Sequence, residues 1–382
     1  NMKKVLLSCV ILILAFTAKA EFINIGVFYS YDIQSFHFQV RAGKYTLYSE
    51  QGKVKELDNS IPIRVDYEEG KVKIYEKGKF LGAFDKINFV GVGWYNHFMI
   101  QSISPKGLER RYDDNLKIFS QRKKMLLVNN IDLDNYVAGV VEAEVGRKPK
   151  KEYFKLQAII CRTYALSNIH KHLMEGINLC DEVHCQAYHG KSFFAPIVEA
   201  ALQTRGAVIV DSDIQLITAA FHSNCGGQTV NSEDVWTKPL YYLRSVKDTF
   251  CLDKRNSVWE KRIDAHRWEN YLQAKLPSKH VDSIEREFEQ INRKVFFAAE
   301  DSGLSFEDLR HQFLLRSTYF GVEHRGNEVL LKGRGYGHGV GLCQEGAMEM
   351  AERGYNYAEI LHYYYKGVHI IDLSALDFFK ED

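Results

Sequence analysis

The stretch from Gly333 to Ala351, GRGYGHGVGLCQEGAMEMA, constrains this chain more than any other. Glycine recurs at Gly333, Gly335, Gly337, Gly339 and Gly341, around a single histidine, His338. A backbone without Cβ atoms reaches φ values closed to other residues and lets a neighbouring chain or a ligand approach closely. From Cys343 to Arg353 the pattern predicts a helix with Gly354 as its C-terminal cap. A glycine loop feeding a helix presents N–H groups to a ligand. The order G-x-x-x-x-G-K-[ST] is missing, so this is no phosphate loop. A structural turn packed against the core is the plainer alternative.

With 382 residues the chain suffices for two or three compact units and a sizeable core. Lys and Arg number 50 against 49 for Asp and Glu, and no basic run stands out, which argues against nucleic acid as a partner. Tyr and Phe number 22 and 23; carbohydrate sites use aromatic faces, but β-rich cores absorb most of them. At the N-terminus Lys3 and Lys4 precede an apolar run from Val5 to Phe16, and Ala18 and Ala20 are small. This pattern predicts a secretory signal over residues 1–20, cleaved before Glu21, and too short to span a bilayer comfortably. No later segment reaches membrane-spanning length, so a secreted, periplasmic or cell-envelope protein is expected. Cys9 falls in the signal, leaving Cys161, Cys180, Cys185, Cys225, Cys251 and Cys343. Outside the cytoplasm such a set invites disulfides.

From Phe22 to about Phe119 short alternating runs such as Phe36 to Val40 and Val72 to Tyr75 are punctuated by Gly43, Gly70, Gly78 and Gly82. This predicts an antiparallel β-rich N-terminal domain or lobe over 21–120. The remainder, 121–375, mixes helices and strands, with a polar, partly helical subdomain at about 255–313 and a tail over 376–382. The expected class is therefore α+β. Leu133, Val137, Val140 and Val141 form the stripe of an amphipathic helix, with Asp132 as N-cap. A second helix is expected from about Glu152 to Glu175, stopped by Gly176. A charged helix is expected near Val281 to Arg293. Asn356-x-x-Glu359 reads as a capping box opening a last helix to Tyr365.

Two carboxylates on the first of these helices differ in aspect. At about 100° per residue from Leu133, Glu144 falls within about 20° of the apolar stripe, and Glu142 on the opposite face. Glu142 should be solvated. Glu144 should point inward at the helix C-terminal end, where desolvation and the helix dipole both raise a carboxyl pKa. A carboxylic acid that keeps its proton near neutral pH is what general-acid cleavage of a glycosidic bond requires. A frayed glutamate bonded to Arg147 or Lys148 is the alternative. Further on, Cys180-Asp-Glu-Val-His184-Cys185 with His172 upstream offers two thiolates and two imidazoles, a set that suits a closed, structural zinc site. His170 competes with His184 for the fourth position, and a Cys180–Cys185 disulfide competes with the metal. In His222-Ser223-Asn224-Cys225-Gly226-Gly227 the histidine and serine point to opposite sides of a strand, so they suit hydrogen bonding to a polar substrate better than a nucleophile–base pair. Cys225 could pair with Cys251 or Cys343.

Taken together, the blocks NYVAGVVEAEVG, KLQAIICRTYAL, CDEVHCQAYHG, FHSNCGGQTVNSEDVW, LRHQFLLRSTYF and GRGYGHGVGLCQEGAMEMA resemble the stage II sporulation protein D family of peptidoglycan lytic transglycosylases, which also has amidase-enhancer members. The resemblance runs from about Ile131 to Ile370. It implies a mixed α+β catalytic domain with a deep groove. It puts the family's catalytic glutamate on Glu144 and its zinc-binding cysteines on Cys180 and Cys185. The chain departs from the family in having Val145-Gly146 where Met-Pro is usual, and Cys161, Cys225 and Cys343 where small or hydroxylated residues are common.

The implied reaction is non-hydrolytic cleavage of the β-1,4 bond between N-acetylmuramic acid and N-acetylglucosamine, closing a 1,6-anhydro ring. One carboxylate suffices because the nucleophile belongs to the substrate, whereas hydrolytic glycosidases usually need a second; Glu233, Asp234 and Glu345 are the available candidates for one. Arg162, Tyr164, His222, Ser223, His338 and Gln344 are assigned to substrate binding, with Arg162 also able to pair with an acid. Zinc on His172, Cys180, His184 and Cys185 is the expected cofactor, and glycan strands of peptidoglycan the expected partner. The alternative from another class is a non-catalytic glycan-binding activator of a cell-wall amidase. A zinc hydrolase would need an open metal position.

Overall fold

A computed structural model of the chain describes residues 21–236, 238–276, 287–299 and 302–376. The expected signal segment and residues 377–382 of the expected tail lie outside the described residues. Ten strands come first: β1 (Phe22–Val27), β2 (Ser35–Ser49), β3 (Gly52–Leu57), β4 (Ile63–Glu68), β5 (Lys71–Glu76), β6 (Lys79–Phe84), β7 (Lys86–Ser104), β8 (Glu109–Asp113), β9 (Asn115–Gln121) and β10 (Lys124–Asp132). With β11 (Leu179–Cys180) they form one 11-stranded sheet in the order β11-β1-β10-β9-β7-β2-β4-β5-β6, with β3 beside β2 and β8 beside β7. All pairings are antiparallel except β1 with β11. The sheet runs past residue 120 through β10, and β11 brings the cysteine-bearing segment onto its edge. The fold is α+β, as the sequence predicts.

Gly43 does not end a strand. β2 continues through it against the long β7, and the register slips between Val40 and Lys44. Gly43 takes φ +74° there, and the Asn96 side chain fills in by accepting the Lys44 N–H at 3.2 Å. A bulge of this kind bends a strand without breaking it.

Helix α1 (Leu133–Val145) follows β10 directly, and Asp132 caps it by accepting the N–H groups of Asp134 and Asn135. Leu133, Val137, Val140 and Val141 are all buried. Helix α2 (Lys151–Ser167) is buried nearly all round because it is covered on two sides. Phe154, Ala158, Cys161 and Ala165 face the core shared with the sheet, α1 and α3 (Ala195–Gln203). Tyr153, Leu156, Ile159 and Ile160 face a second core with Ile209, Leu342, Ala347 and Ile360. α2 stops at Ser167, short of Gly176, because the Asn168 amide folds back to donate to Tyr164 O at 2.9 Å. Residues 168–172 are turns, and Gly176 instead ends a single 3-10 turn, Leu173–Glu175.

The second core includes strands β12 (Ala207–Val210) and β13 (Phe221–His222). Strand β14 (Val258–Asp264) and the short β15 (Glu287–Phe288) pair with β17 (Glu328–Arg334) and β16 (Phe320–Arg325) in the order β14-β17-β16-β15. A third core forms there around Trp259, Trp268, Phe306, Phe320 and Leu331. The charged helix expected near Val281 to Arg293 is not seen over its described part, 287–293, which is β15 followed by bends. The remaining pairs are β13 with β18 (Leu342–Cys343), parallel, and β12 with β19 (His369–Asp372), antiparallel. The predicted helices close the chain as Gln344–Glu352, capped by Cys343, and Tyr357–Tyr364, opened by the Asn356/Glu359 capping box.

Candidate functional site

Glu144 lies one residue from the end of α1 and is half-buried. Its Oε1 accepts the Ala187 N–H at 3.0 Å. Burial raises its carboxyl pKa above the ordinary range, against smaller lowering effects from the Ala187 N–H and the nearby His189. Among the described residues no arginine pairs with it. Arg147, the alternative partner, goes to Glu142 at 2.6 Å. Glu142 also accepts Ser192 Oγ at 2.6 Å, so the residue expected to be solvated is partly buried and paired, with its pKa lowered.

Tyr164 stands next to Glu144 and to the cysteine pair. Burial first, then the charges of Cys185, Cys180 and Glu144, pushes its phenol up to about 12. The exposed His189, inside the CDEVHCQAYHG block, went unassigned in the sequence; its nearness to Glu144 comes from the loop after Cys185. Arg162 is not a substrate ligand. It is fully buried, donates to Asp134 Oδ1 at 2.7 Å and to the carbonyls of Ala201 and Ala207 at 3.1 Å, and ties α1, α2 and α3 together. A charge inside the core survives only with such partners.

The four residues His172, Cys180, His184 and Cys185 bring one ligand atom each to within 4.8 Å of one another. Both sulfurs are free thiols rather than a disulfide. The buried His172 Nε2 has no hydrogen-bond partner, whereas its Nδ1 meets Glu175 Oε1 at 2.9 Å. An imidazole oriented by a carboxylate on one nitrogen and bare on the other is the arrangement of a zinc ligand. His184 Nδ1 lies 3.6 Å from Cys180 Sγ and 3.8 Å from Cys185 Sγ. The donor set and the orphaned nitrogen fit zinc, and four ligands would leave it closed. His170 is not in the cluster.

His222, Ser223 and His338 gather where β13 meets β18 and the glycine loop. His222 is buried, and its Nδ1–H donates to Val340 O at 3.1 Å. Its Nε2 is buried without a partner, and burial holds its pKa well below the usual histidine value. The imidazole is therefore neutral with Nε2 as a free acceptor. Gly337, at φ +114°, allows this packing, since a Cβ there would stand 2.8 Å from His222 Cβ. His338 is committed to the backbone: Nε2–H donates to Phe221 O at 2.9 Å and Nδ1 accepts the Val340 N–H at 3.1 Å. That leaves His338 without a free ring nitrogen, so it shapes the loop rather than bonding a substrate. Ser223 Oγ accepts from Asn256 at 3.2 Å. Among the described residues the buried Gln344 Nε2 meets no hydrogen-bond partner. Trp236, 38% exposed, packs its ring against His338 at 5.2 Å, an aromatic surface not singled out from the sequence.

Glu233 is held by Arg244, and Glu345 by Asn224 and Asn256, so both carboxylates are engaged by other side chains. A cavity of about 1040 Å³ opens on the four-stranded sheet between Val258 and Arg334, and takes no residue from α1 or the cysteine loop. The expected deep groove beside Glu144 is thus not this concavity.

This combination, an inward glutamate ending a helix, a Cys/His cluster anchoring its neighbour and a glycine loop packed on His222, defines a class for which sequence comparison provides the relatives. Residues 121–210 match the family model described as SpoIID, stage II sporulation protein. Stage II sporulation protein D of Bacillus subtilis is 31% identical over 269 residues, 65% of this chain and 77% of that protein. An uncharacterized protein of Brachyspira hyodysenteriae is 26% identical over 331 residues, 84% of this chain and 83% of its own. The amidase enhancer of Bacillus subtilis is 27% identical over 283 residues, 60% of this chain and 39% of that protein. The chain belongs to the stage II sporulation protein D family.

Proposed function

We propose that this protein is a peptidoglycan lytic transglycosylase of the cell envelope, with Glu144 as general acid and then general base. Family membership supports the coarser statement, a role at the cell wall. The finer one is carried by a single observation: the Glu144 carboxyl is desolvated, its pKa is raised despite the nearby His189, and among the described residues no lysine or arginine pairs with it. That setting favours the protonated form, which donates its proton to the leaving glycosidic oxygen. The resulting carboxylate, steadied by the Ala187 N–H, accepts the proton of the C6 hydroxyl as the 1,6-anhydro ring closes. No second carboxylate is required. Tyr164 and Ser223 supply hydrogen bonds to the sugars and Trp236 offers a ring face to them, whereas His222 Nε2 and Gln344 Nε2 are buried.

Zinc on His172, Cys180, His184 and Cys185 is part of this proposal, as a closed structural site that fixes the loop carrying Ala187 and His189. The secretory signal expected over residues 1–20 would deliver the chain to its substrate. The test is turnover of isolated glycan strands by wild type and Glu144→Gln, with glycan binding measured alongside. Loss of turnover with binding retained supports the enzyme. Likeness to the amidase enhancer favours a second reading, an amidase activator, and equal amidase stimulation by both forms without glycan turnover by either would establish that instead.

A further inference from the structure

We propose that Cys225, Asp248, Cys251 and Cys343 form a second metal site, for a zinc-class divalent cation, separate from the cluster at Cys180 and Cys185. The four side chains are buried and bring one ligand atom each to within 4.8 Å of one another. They come from three distant segments: the turn after β13, the loop after Val246, and the start of the helix Gln344–Glu352.

Three features set this cluster apart from a chance meeting of thiols. First, Asp248 is a fully buried carboxylate, and its described partners are all neutral. Oδ1 accepts the Phe250 N–H at 2.9 Å, and Oδ2 accepts the Tyr364 hydroxyl at 2.9 Å and the Cys225 thiol at 3.3 Å. Among the described residues no lysine, arginine or histidine pairs with it, and a buried carboxylate without a cation is costly. Second, backbone amides point at sulfur: Cys343 Sγ accepts the Cys225 N–H at 3.3 Å and the Gly346 N–H at 3.4 Å. Amides aimed at sulfur orient it, as outer partners orient a metal ligand. Third, the Cys225 and Cys251 sulfurs are 3.4 Å apart. Two thiolates on tetrahedral zinc, with Zn–S about 2.3 Å, sit about 3.8 Å apart, against about 2.05 Å in a disulfide.

Gly346 belongs to the same design. A Cβ there would collide with Asp248 Oδ2 and the Tyr364 hydroxyl, so only glycine lets the helix start this close to the cluster. Three thiolates and a carboxylate suit zinc over magnesium or calcium, which prefer oxygen ligands. A closed four-ligand set is structural. An ion here would lock the turn after His222 to the end of the glycine loop.

The experiment uses the chain from Glu21 onward, purified without chelator. Metal analysis should find two zinc ions per chain, one after Cys180→Ser/Cys185→Ser and one after Cys225→Ser/Cys343→Ser. A metal count of zero in the Cys180→Ser/Cys185→Ser variant overturns the proposal while leaving the first site standing. Unfolded, chelated but unreduced protein should titrate six free thiols; four, with the missing pair mapped to Cys225, Cys251 or Cys343, means a disulfide and overturns it. Wild-type protein loaded with cobalt should show thiolate charge-transfer absorption for five sulfurs per chain, and intensity for only two sulfurs overturns it even where the variants fail to fold.

Discussion

The Ala187 N–H donates to Glu144 Oε1 at 3.0 Å, and Ala187 follows Cys185 by two residues. The carboxylate proposed to cut the glycan is thus held by the chain that leaves the Cys/His cluster. Disturbing that cluster should disturb Glu144 without touching it.

Glu175 tests how the cluster is built. Its carboxylate meets His172 Nδ1 at 2.9 Å and leaves Nε2 for the metal. Glu175→Gln should weaken zinc binding about 10- to 100-fold, measured by chelator competition, with the far-ultraviolet spectrum unchanged. Unaltered affinity would remove His172 from the ligand set.

Metal removal should act on both stability and the site. Chelation, or Cys185→Ser, should lower the thermal midpoint and reduce glycan turnover together. Affinity should also fall with decreasing pH, because the thiols must lose protons to bind. A protein whose midpoint ignores chelators holds no structural metal.

Glu144 sets a pH dependence of known sign. Burial raises its pKa in the folded state, so ionising it costs the folded form more than the unfolded chain. Its contribution to stability is therefore most favourable at low pH and declines as pH rises through the raised value. Wild type should match Glu144→Gln near about pH 4 and fall below it near about pH 8, as read from paired thermal midpoints. Activity should descend over the same alkaline limb, since the acid must be protonated.

The Arg162–Asp134 pair predicts a purely structural effect. Asp134→Ala strands a fully buried guanidinium and should cost about 3–5 kcal/mol in chemical denaturation. Replacing both residues with apolar ones of similar volume should recover much of that loss.

Local patterns were legible and distant ones were not. Helix periodicity alone turned Glu144 inward, because it lies beside a clear stripe, but it left Glu142 in solvent, since Ser192, which covers it, comes from 50 residues further along the chain. Cys180, His184 and Cys185 lie within one short loop, so their spacing was informative. Arg162 was misassigned because its partner is 28 residues away on another helix, and a charged residue in a motif reads as functional until that partner is seen. His338 was misassigned for a similar reason, since backbone groups of Phe221 and Val340 use both its nitrogens. α2 was drawn too long because one side-chain bond from Asn168 ended it. Cys225 and Cys343 stand 118 residues apart, and only the parallel pairing of β13 and β18 brings them together.

Product mass measures the central claim most directly. Wild type acting on purified glycan strands should release ends that carry 1,6-anhydro-N-acetylmuramic acid, one water lighter than hydrolytic ends and resistant to borohydride reduction. Glu144→Gln should slow that release by about a hundredfold or more. Reducible, hydrated ends, or an undiminished rate from Glu144→Gln, would contradict it.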